Sequence, residues 1–184
     1  MELKTPRLLL REFRASDHEA VHAFASDTEV TRYTDWGPND PHDTAAFLTD
    51  VTQDANTSTA RSRFALAVVN LEHDALIGSI ELHITSAAHQ RAEIGYVLHR
   101  HSWGKGYASE AATTLLHFGF DKLDLHKISA TCDPDHAAST RVLTKIGVRH
   151  EGRLRHHLRL RGQWRDRLVY AALSDGHQVQ DAPR

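Results

Sequence analysis

Two glycines stand where a strand is expected to end and a helix to begin, in the run His101-Ser102-Trp103-Gly104-Lys105-Gly106. Before this run, apolar and polar side chains alternate over residues 91–98, which predicts a half-buried strand. After it, apolar residues recur three or four positions apart from Ala108 to Leu123, which predicts a helix packed on a sheet. Glycine has no β-carbon, so backbone N–H groups here can approach a ligand closely, and a helix N-terminus favours negative charge. The pattern therefore predicts a binding site for a phosphate or pyrophosphate group.

Two other signals of chemistry are weaker. His18-Glu19-Ala20-Val21-His22 is a literal HExxH motif, the pattern of a zinc-protease helix, but with fifteen histidines in 184 residues such a match arises by chance roughly once in ten. It directly follows Ser16 on an expected surface helix with no evident third ligand, so we expect no metal site. The single cysteine, Cys132, lies in the alternating run KISATC, which predicts a packed strand residue and not a nucleophile.

The remaining elements are predicted from periodicity, caps and turn residues. Strands are expected over residues 5–11, 64–69, 76–85, 127–133, 148–161 and 164–173, the last two forming a hairpin around Gly162. Helices are expected from Asp17, after a capping box of Ser16 and Glu19, to about Ser26; from Pro41, after the cap Asp40, through Val51; and from about His136 to Ile146, before Gly147. Residues 53–62 are expected to form a connection and residues 175–184 a disordered tail. Together these elements indicate one α/β (α+β mixed) domain over residues 1–174.

Composition sets limits on partners and location. The net charge of −2 gives no general case for nucleic acid or membrane binding. No segment approaches the length of a transmembrane helix, and the N-terminus does not resemble a secretory signal, so a cytoplasmic protein is expected. Residues 149–167, the arginine-rich hairpin, carry seven arginines and three histidines against Glu151 and Asp166. This hairpin could attract an acidic protein substrate or form an ordinary solvated face. A nucleic-acid clamp is the poorest of the three functions considered for the chain, because the net charge is near neutral.

The order of these motifs carries a family resemblance. The succession of strand, HSWGKGYASEA, helix, strand, DPDHAASTRVLTKIG and hairpin resembles the GNAT N-acetyltransferases, specifically the ribosomal-protein N-terminal acetyltransferases RimJ and RimL. The resemblance extends from TPRLLLRE to WRDRLVYAAL. It implies a GNAT-type central twisted mixed sheet, mostly antiparallel, flanked by about four helices, with a strand-turn-helix acetyl-CoA site. It leaves a homodimer open.

The resemblance assigns the cofactor site. The family's pyrophosphate loop, (Q/R)-x-x-G-x-(G/A), matches His101-x-x-Gly104-x-Gly106 except for the histidine in first place. By this resemblance, backbone donors of the loop hold the pyrophosphate and the preceding strand holds the pantetheine arm. The residues assigned to acetyl-CoA in this way are Val97, Leu98, His101, Trp103, Gly104, Lys105, Gly106, Tyr107, Ala108, His136 and Ser139.

The resemblance also assigns an acid. Related enzymes commonly have DPxNxxS where this chain has the run from Asp133 to Ser139, with His136 in place of the asparagine. By resemblance Ser139 protonates the departing CoA thiolate, and an imidazole N–H of His136 could replace the asparagine's hydrogen bond. A first-turn serine bonded to local backbone is the structural alternative for Ser139.

The general base is left open by the sequence. Some relatives place a glutamate on the strand after Gly147, but residues 153–161 contain only arginine, leucine and histidine, so that assignment fails here. Glu93 is the first candidate and His83 the second, while His156 or His157 could also serve.

Acceptor recognition is expected from the loop 33–40 and from the terminal hairpin. Tyr33, Trp36 and Trp164 are predicted to supply flat walls for the substrate. The sequence thus predicts an acetyl-CoA-dependent N-acetyltransferase without a metal, which transfers acetyl directly to a primary amine, a protein N-terminal α-amine by resemblance. A small-molecule acceptor (aminoglycoside, polyamine or amino-acid-like) is the close alternative, and a non-catalytic CoA-binding sensor is a third.

Overall fold

An eight-stranded mixed sheet forms the centre of the structure, a computed structural model that describes residues 1–57 and 61–176. The strands in these residues are β1 (Glu2–Lys4), β2 (Leu8–Glu12), β3 (Arg63–Asn70), β4 (Ala75–Ser86), β5 (Arg91–Leu98), β6 (Lys127–Cys132), β7 (Arg149–Leu160) and β8 (Gln163–Leu173). The helices are α1 (His18–Ala25), α2 (Pro41–Asn56), α3 (Tyr107–Asp121) and α4 (Ala137–Lys145). Across the sheet the order is β1-β2-β3-β4-β5-β6-β8-β7, and all neighbours are antiparallel except β5 and β6. The predicted mixed, mostly antiparallel sheet with about four helices is confirmed.

The sheet is covered on both faces. Helices α1 and α2 pack on one face through Phe24 and Leu48, and helices α3 and α4 pack on the other through Leu115 and Leu143. Strand β3 lies between these layers, so its successive side chains enter opposite cores and nearly all are buried. Because both faces of β3 are buried, its sequence is a continuous apolar run and does not alternate between apolar and polar residues.

Strands β5 and β6 start as parallel neighbours and then separate. Only three residue pairs join them, and the last is Glu93 with Ser129. Beyond that point β5 stays paired with β4 as far as Leu98, whereas β6 stays paired with β8 as far as Cys132. A gap therefore opens in the middle of the sheet, and one edge of β5 lacks a strand partner from Ile94 onward.

The start of the chain differs from the prediction. The expected strand over residues 5–11 is wrong in its first part, because β1 and β2 form a hairpin and residues 5–7 form its turn. The Thr5 N–H donates to the Leu8 carbonyl (2.9 Å), and the Thr5 hydroxyl donates to the Glu110 carboxylate on α3 (2.6 Å). The turn is thus held by a contact with α3 that local sequence does not reveal.

The predicted capping box of Ser16 and Glu19 is also wrong. Residues 15–17 form a 3₁₀ turn, and the carboxylate of Asp17 accepts hydrogen bonds from the Arg14 N–H and from the Arg11 guanidinium, all at 2.8 Å. Asp17 is buried, and a buried carboxylate needs a charged or hydrogen-bonding partner. The ion pair with Arg11 on β2 therefore decides how α1 begins.

Other helix and strand boundaries agree more closely with the prediction. Asp40 caps α2 as predicted, accepting from the Asp43 N–H at 2.8 Å, but the helix continues through Asn56, so the predicted connection is wrong for residues 53–56. The rest of that connection includes residues 58–60, and the predicted disordered tail includes residues 177–184; both lie outside the described residues. In the described chain, no helix is long and apolar enough to cross a membrane.

Substitution of Gly78 on β4 tests how closely β4 and β5 pack against each other. A β-carbon there would collide with the Val97 carbonyl oxygen and lie 2.6 Å from Cδ2 of Leu98. We expect Gly78→Ala to lower the free energy of unfolding by about 1–3 kcal/mol, measured by urea denaturation. Gly152→Ala is the control, since no atom lies within 4 Å of the added carbon. Equal stability of the two variants would contradict the strand packing described above.

Candidate functional site

A groove of about 1480 Å³ opens where β5 and β6 separate. It exceeds the roughly 300–1000 Å³ of an ordinary ligand pocket, so it has room for a large ligand or for two. Most of the predicted site residues line it: Tyr33, Trp36, His83, Glu93, Val97, Leu98, Trp103, Gly104, Gly106, Tyr107, Ala108, His136 and Ser139. The fold thus brings together residues from β4, β5, α3, α4 and the segment between α1 and α2.

Three predicted site residues do not line this groove. His101 stacks on the ring of His99 with centroids 4.9 Å apart, and the Lys105 carbonyl accepts a hydrogen bond from Arg7 at 3.0 Å. Trp164 is 58% exposed near the end of the β7–β8 hairpin. Any contact of these three with a ligand would come from outside the groove wall.

The glycine turn before α3 has the geometry of an anion site. Gly104 and Gly106 have φ angles of 75° and 81°, the left-handed region that favours glycine. A β-carbon on Gly106 would lie 3.5 Å from the guanidinium of Arg7 and 3.9 Å from Nζ of Lys145. Two cations therefore flank the N-terminus of a 15-residue helix, where backbone N–H groups already favour negative charge.

Sequence reasoning missed both cations. Arg7 lies about a hundred positions before the loop and is held there by Glu110, whose carboxylate accepts from its Nε at 2.7 Å. Its guanidinium also covers the ring of Tyr107 at 4.7 Å. Lys145 comes from the last turn of α4 and has no hydrogen-bonding or ionic partner among the described residues. No local pattern marks either residue, because each reaches the loop only through the fold.

The open edge of β5 offers backbone hydrogen-bonding groups to the gap. The Val97 carbonyl is directed at Gly78 on β4. In an antiparallel pair alternate residues direct their backbone groups to the partner strand, so those of Ile94, Tyr96 and Leu98 face the other way. Because β6 has diverged by this point, these groups face the groove, although the Leu98 carbonyl already accepts a hydrogen bond from the Trp103 indole N–H at 2.8 Å. An extended ligand arm could pair with them as an added strand would.

A serine and a tyrosine meet at this edge. The hydroxyl of Ser139, in the first turn of α4, lies 3.0 Å from the phenol oxygen of Tyr96 on β5. Burial raises the pKa of Tyr96 to about 12, so the phenol keeps its proton at neutral pH. Tyr96 was missed as a functional candidate, because the alternation of its strand marked it only as a core residue. Ser139 is buried at the groove wall, in the position predicted for it.

His136 closes one wall of the groove. Its ring stacks on Tyr33, with centroids 4.5 Å apart and planes inclined by 20°. Burial lowers the pKa of His136; the negative charge of Asp133 opposes this shift, and the positive charge of Arg167 adds to it. The imidazole is therefore neutral at pH 7 and has one N–H to donate.

The candidate bases differ in position. Glu93 lies at the point where β5 and β6 part and accepts a hydrogen bond from the Thr131 hydroxyl at 3.0 Å. His83 is its neighbour across the β4–β5 pair, and both side chains line the groove. His157 also lines the groove, whereas His156 lies outside its lining and donates its backbone N–H to Asp166.

The two weaker sequence signals have structural explanations. Cys132 is a buried strand residue, as predicted, and burial raises the pKa of its thiol. His18 and His22 direct ring nitrogens at α2, one to the Pro41 carbonyl and the other to the Thr44 hydroxyl, both at 3.0 Å. The HExxH pair thus joins α1 to α2.

Five of the seven arginines of the arginine-rich hairpin are exposed, but Arg161 and Arg165 donate hydrogen bonds that reach other parts of the fold. Arg161 donates to the carbonyls of Thr31 (2.8 Å) and Arg32 (3.0 Å) in the segment between α1 and α2. Arg165 donates two hydrogen bonds to Asp133, at 2.9 and 3.0 Å, on the segment that leads into α4. These arginines fasten two walls of the groove to β7 and β8, so the charge of the hairpin is not simply a solvated face.

With this geometry in place, comparison with known proteins assigns the class. Residues 7–149 match the acetyltransferase (GNAT) domain family. The uncharacterized N-acetyltransferase YnaD of Bacillus subtilis is 36% identical over 175 residues, which cover 95% of this chain and 98% of YnaD. Spermidine N(1)-acetyltransferase of Escherichia coli is 28% identical over 159 residues, covering 86% and 82%. The chain therefore belongs to the GNAT acetyltransferase family and is an N-acetyltransferase by class.

Solved structures agree with this assignment. A GNAT-family acetyltransferase from Bacillus anthracis superposes with a TM-score of 0.84 at 35% identity, covering 95% of this chain and 99% of that one. Mycobacterium smegmatis RimJ in complex with CoA-disulfide gives a TM-score of 0.80 at 24% identity, covering 91% and 82%. The latter identity is low, so that likeness shows the fold alone. The predicted GNAT-type fold is confirmed.

Substitution of Asp133 tests whether its ion pair with Arg165 holds the segment that leads into α4. The side chain is fully buried, and burial would raise its pKa, but hydrogen bonds from Arg165 and from the Asp135 N–H outweigh burial and lower it. A carboxylate with a lowered pKa stabilises the fold above about pH 3.9, its unfolded value, and this contribution is lost as pH falls through the folded value. We expect Asp133→Asn to cost about 2–4 kcal/mol at pH 7, with the difference from wild type narrowing below about pH 4.

Guanidinium chloride denaturation at several pH values measures this effect. Glu29→Gln is the control, since Glu29 forms only an exposed pair with Arg32 at 3.8 Å and exposed pairs contribute little. An Asp133→Asn variant as stable as Glu29→Gln at pH 7 would show that the buried pair does not hold this segment.

Proposed function

We propose that this chain transfers acetyl from acetyl-CoA directly to a primary amine, and that the acceptor is a protein N-terminal α-amine. Family membership supports the acetyl transfer. The observation that carries the proposal for the donor is the gap between β5 and β6, which ends at a helix N-terminus flanked by two cations. The N-terminal acceptor rests on the sequence resemblance to the ribosomal-protein acetyltransferases.

The residues present fit acetyl-CoA. Backbone donors from Gly104 to Ala108, with Arg7 and Lys145, would hold the pyrophosphate. The open edge of β5, ending at Leu98, would pair with the pantetheine arm. When bound, acetyl-CoA supplies an acetyl group activated as a thioester.

The protein's own groups then handle protons. Ser139 would donate a proton to the departing thiolate, and the hydrogen bond from the protonated phenol of Tyr96 would stabilise the serine oxygen. Glu93 would accept the proton of the incoming ammonium, directly or through water, because it faces the groove where the two strands part. His83, beside it on β4, is the second candidate for this role.

A small-molecule amine is the second candidate acceptor. The similarity to a spermidine acetyltransferase over most of the chain favours it. So do the carboxylates of Asp43 and Asp50, which line the groove on the α2 side; Glu81 on β4 also lines the groove but is paired with Arg63 at 2.9 Å. Release of CoA thiol from acetyl-CoA in the presence of N-terminal peptides or of polyamines separates the two acceptors. If neither class of amine supports steady release of CoA thiol although acetyl-CoA binds tightly, a non-catalytic CoA sensor becomes the better interpretation.

Lys145 provides a test of the phosphate end. We expect Lys145→Met to raise the KM for acetyl-CoA about tenfold with little change in kcat, because a charge-assisted contact to phosphate is lost. The effect should weaken at high salt, where the wild-type attraction is screened. Lys122→Met, at the other end of α3, is the matched control. An unchanged KM in Lys145→Met would place the phosphates elsewhere.

Ser139 and Tyr96 provide a test of the proton donor. We expect Ser139→Ala to lower kcat about a hundredfold and Tyr96→Phe to lower it by a smaller factor, with the KM for acetyl-CoA nearly unchanged. Cys132→Ala should keep its rate if transfer is direct, since no acyl-cysteine then forms. Steady-state kinetics with the best acceptor measure all three. A large loss in Cys132→Ala with full activity in Ser139→Ala would overturn the direct mechanism.

A further inference from the structure

One buried arginine in the groove has no anionic partner. Arg167 on β8 lines the groove and is only 8% exposed. Its guanidinium donates one hydrogen bond, to the Tyr33 carbonyl at 2.9 Å. In residues 1–57 and 61–176, no carboxylate forms an ion pair with it. This sets it apart from Arg165 and Arg153 on the same hairpin, whose guanidinium groups contact carboxylates at 2.6–3.0 Å.

One nearby acid, Asp133, is already paired with another arginine. Asp133 is close enough for the charge of Arg167 to help lower its pKa, after the larger influences of burial and of Arg165. Both carboxylate oxygens of Asp133 are already occupied by Arg165, and one of them also accepts the Asp135 N–H. The Tyr33 carbonyl therefore holds Arg167 at the groove, while Arg165 pairs with the Asp133 carboxylate.

The guanidinium of Arg167 has N–H donors that no protein group in the described residues uses. The group carries five donors, and its unpaired nitrogens keep contact with solvent, because no fully buried side-chain nitrogen in these residues lacks a hydrogen bond. Donors that face a groove can instead be satisfied by a ligand. The planar fork of arginine matches the two oxygens of a carboxylate, so a carboxylate is the group that best completes this arrangement.

The position of Arg167 separates it from the phosphate end of the groove. The cations at the glycine turn are Arg7 and Lys145, which approach Gly106. Arg167 instead donates a hydrogen bond to Tyr33, in the segment between α1 and α2, where the acceptor walls are predicted. The anion that Arg167 would bind thus belongs to the acceptor and not to the donor.

We propose that Arg167 binds a carboxylate of the acceptor, so that the preferred acceptor is an amine that also carries a carboxylate. Free amino acids and peptides with acidic N-terminal residues share this chemistry. The inference rests on the proposed function and narrows it. It also gives the two sides of the groove complementary tasks, since Glu93 faces the amine on β5 and Arg167 faces the carboxylate on β8.

Matched acceptors test the proposal on the wild-type protein. Each pair differs only in the carboxylate: an amino acid against its amide, and a peptide with Asp in second place against the same peptide with Asn. We expect kcat/KM to favour the carboxylate by about ten- to a hundredfold in at least one pair. The first pair reports a free amino acid as acceptor, and the second reports an acidic N-terminus.

Arg167→Gln tests the residue itself. The preference for the carboxylate should fall to within about threefold of unity, through a higher KM for the carboxylate acceptor, while kcat/KM for the neutral acceptor stays within about threefold of wild type. Arg155→Gln is the matched control, since Arg155 is exposed on the same hairpin, and it should keep the full preference. Thermal unfolding and acetyl-CoA binding show whether each variant is folded.

The outcomes separate the two proposals. Acetylation of both members of each pair at equal rates by the wild type would overturn the carboxylate site and leave the N-acetyltransferase proposal standing. So would an Arg167→Gln variant that loses both acceptors alike, which would assign Arg167 to holding Tyr33. Failure of every amine, neutral or acidic, to release CoA thiol would overturn the proposed function and this inference with it.

Discussion

The structure depends on the hydrogen bonds that β5 and β6 do not make. The two strands pair for three residues, and then each stays with its outer neighbour, so the edge of β5 beyond Glu93 faces a gap. Backbone donors and acceptors in a fold are nearly always satisfied, which makes this edge a place for an extended ligand. Parallel neighbours require a crossover connection, and here α3 provides it, beginning shortly after the end of β5. Its positive N-terminus is thereby placed at the mouth of the gap.

The last two strands hold the other side of the groove. Arg161 fastens the segment between α1 and α2, and Arg165 fastens the segment that leads into α4. Between these contacts Arg167 keeps donors that no group in residues 1–57 and 61–176 accepts. Although the net charge of the chain is −2, these arginines concentrate positive charge beside the groove, where they hold its walls and face its interior. The positions of individual charged residues, and not the net charge of the chain, determine what the site can bind.

The parts predicted well are those set by local periodicity and local turn chemistry. Strand β5 has the bounds expected from its alternation, and Gly147 ends α4 in the left-handed conformation expected of a glycine at that position. The failures lie where a distant partner outweighs a local signal. Asp17 pairs with Arg11 and displaces the cap expected from Ser16, because a buried carboxylate must be compensated.

By itself the sequence determined the strand-turn-helix with its two glycines, the place of Ser139 at the start of a helix, and the family these imply. Those features depend on residues within one or two turns of one another. Only the tertiary structure decided that Arg7 and Lys145 approach the glycine turn and that Tyr96 and Arg167 line the groove. Ion pairs and hydrogen bonds act over a few ångströms, and which distant residues come that close is decided only when the strands and helices pack.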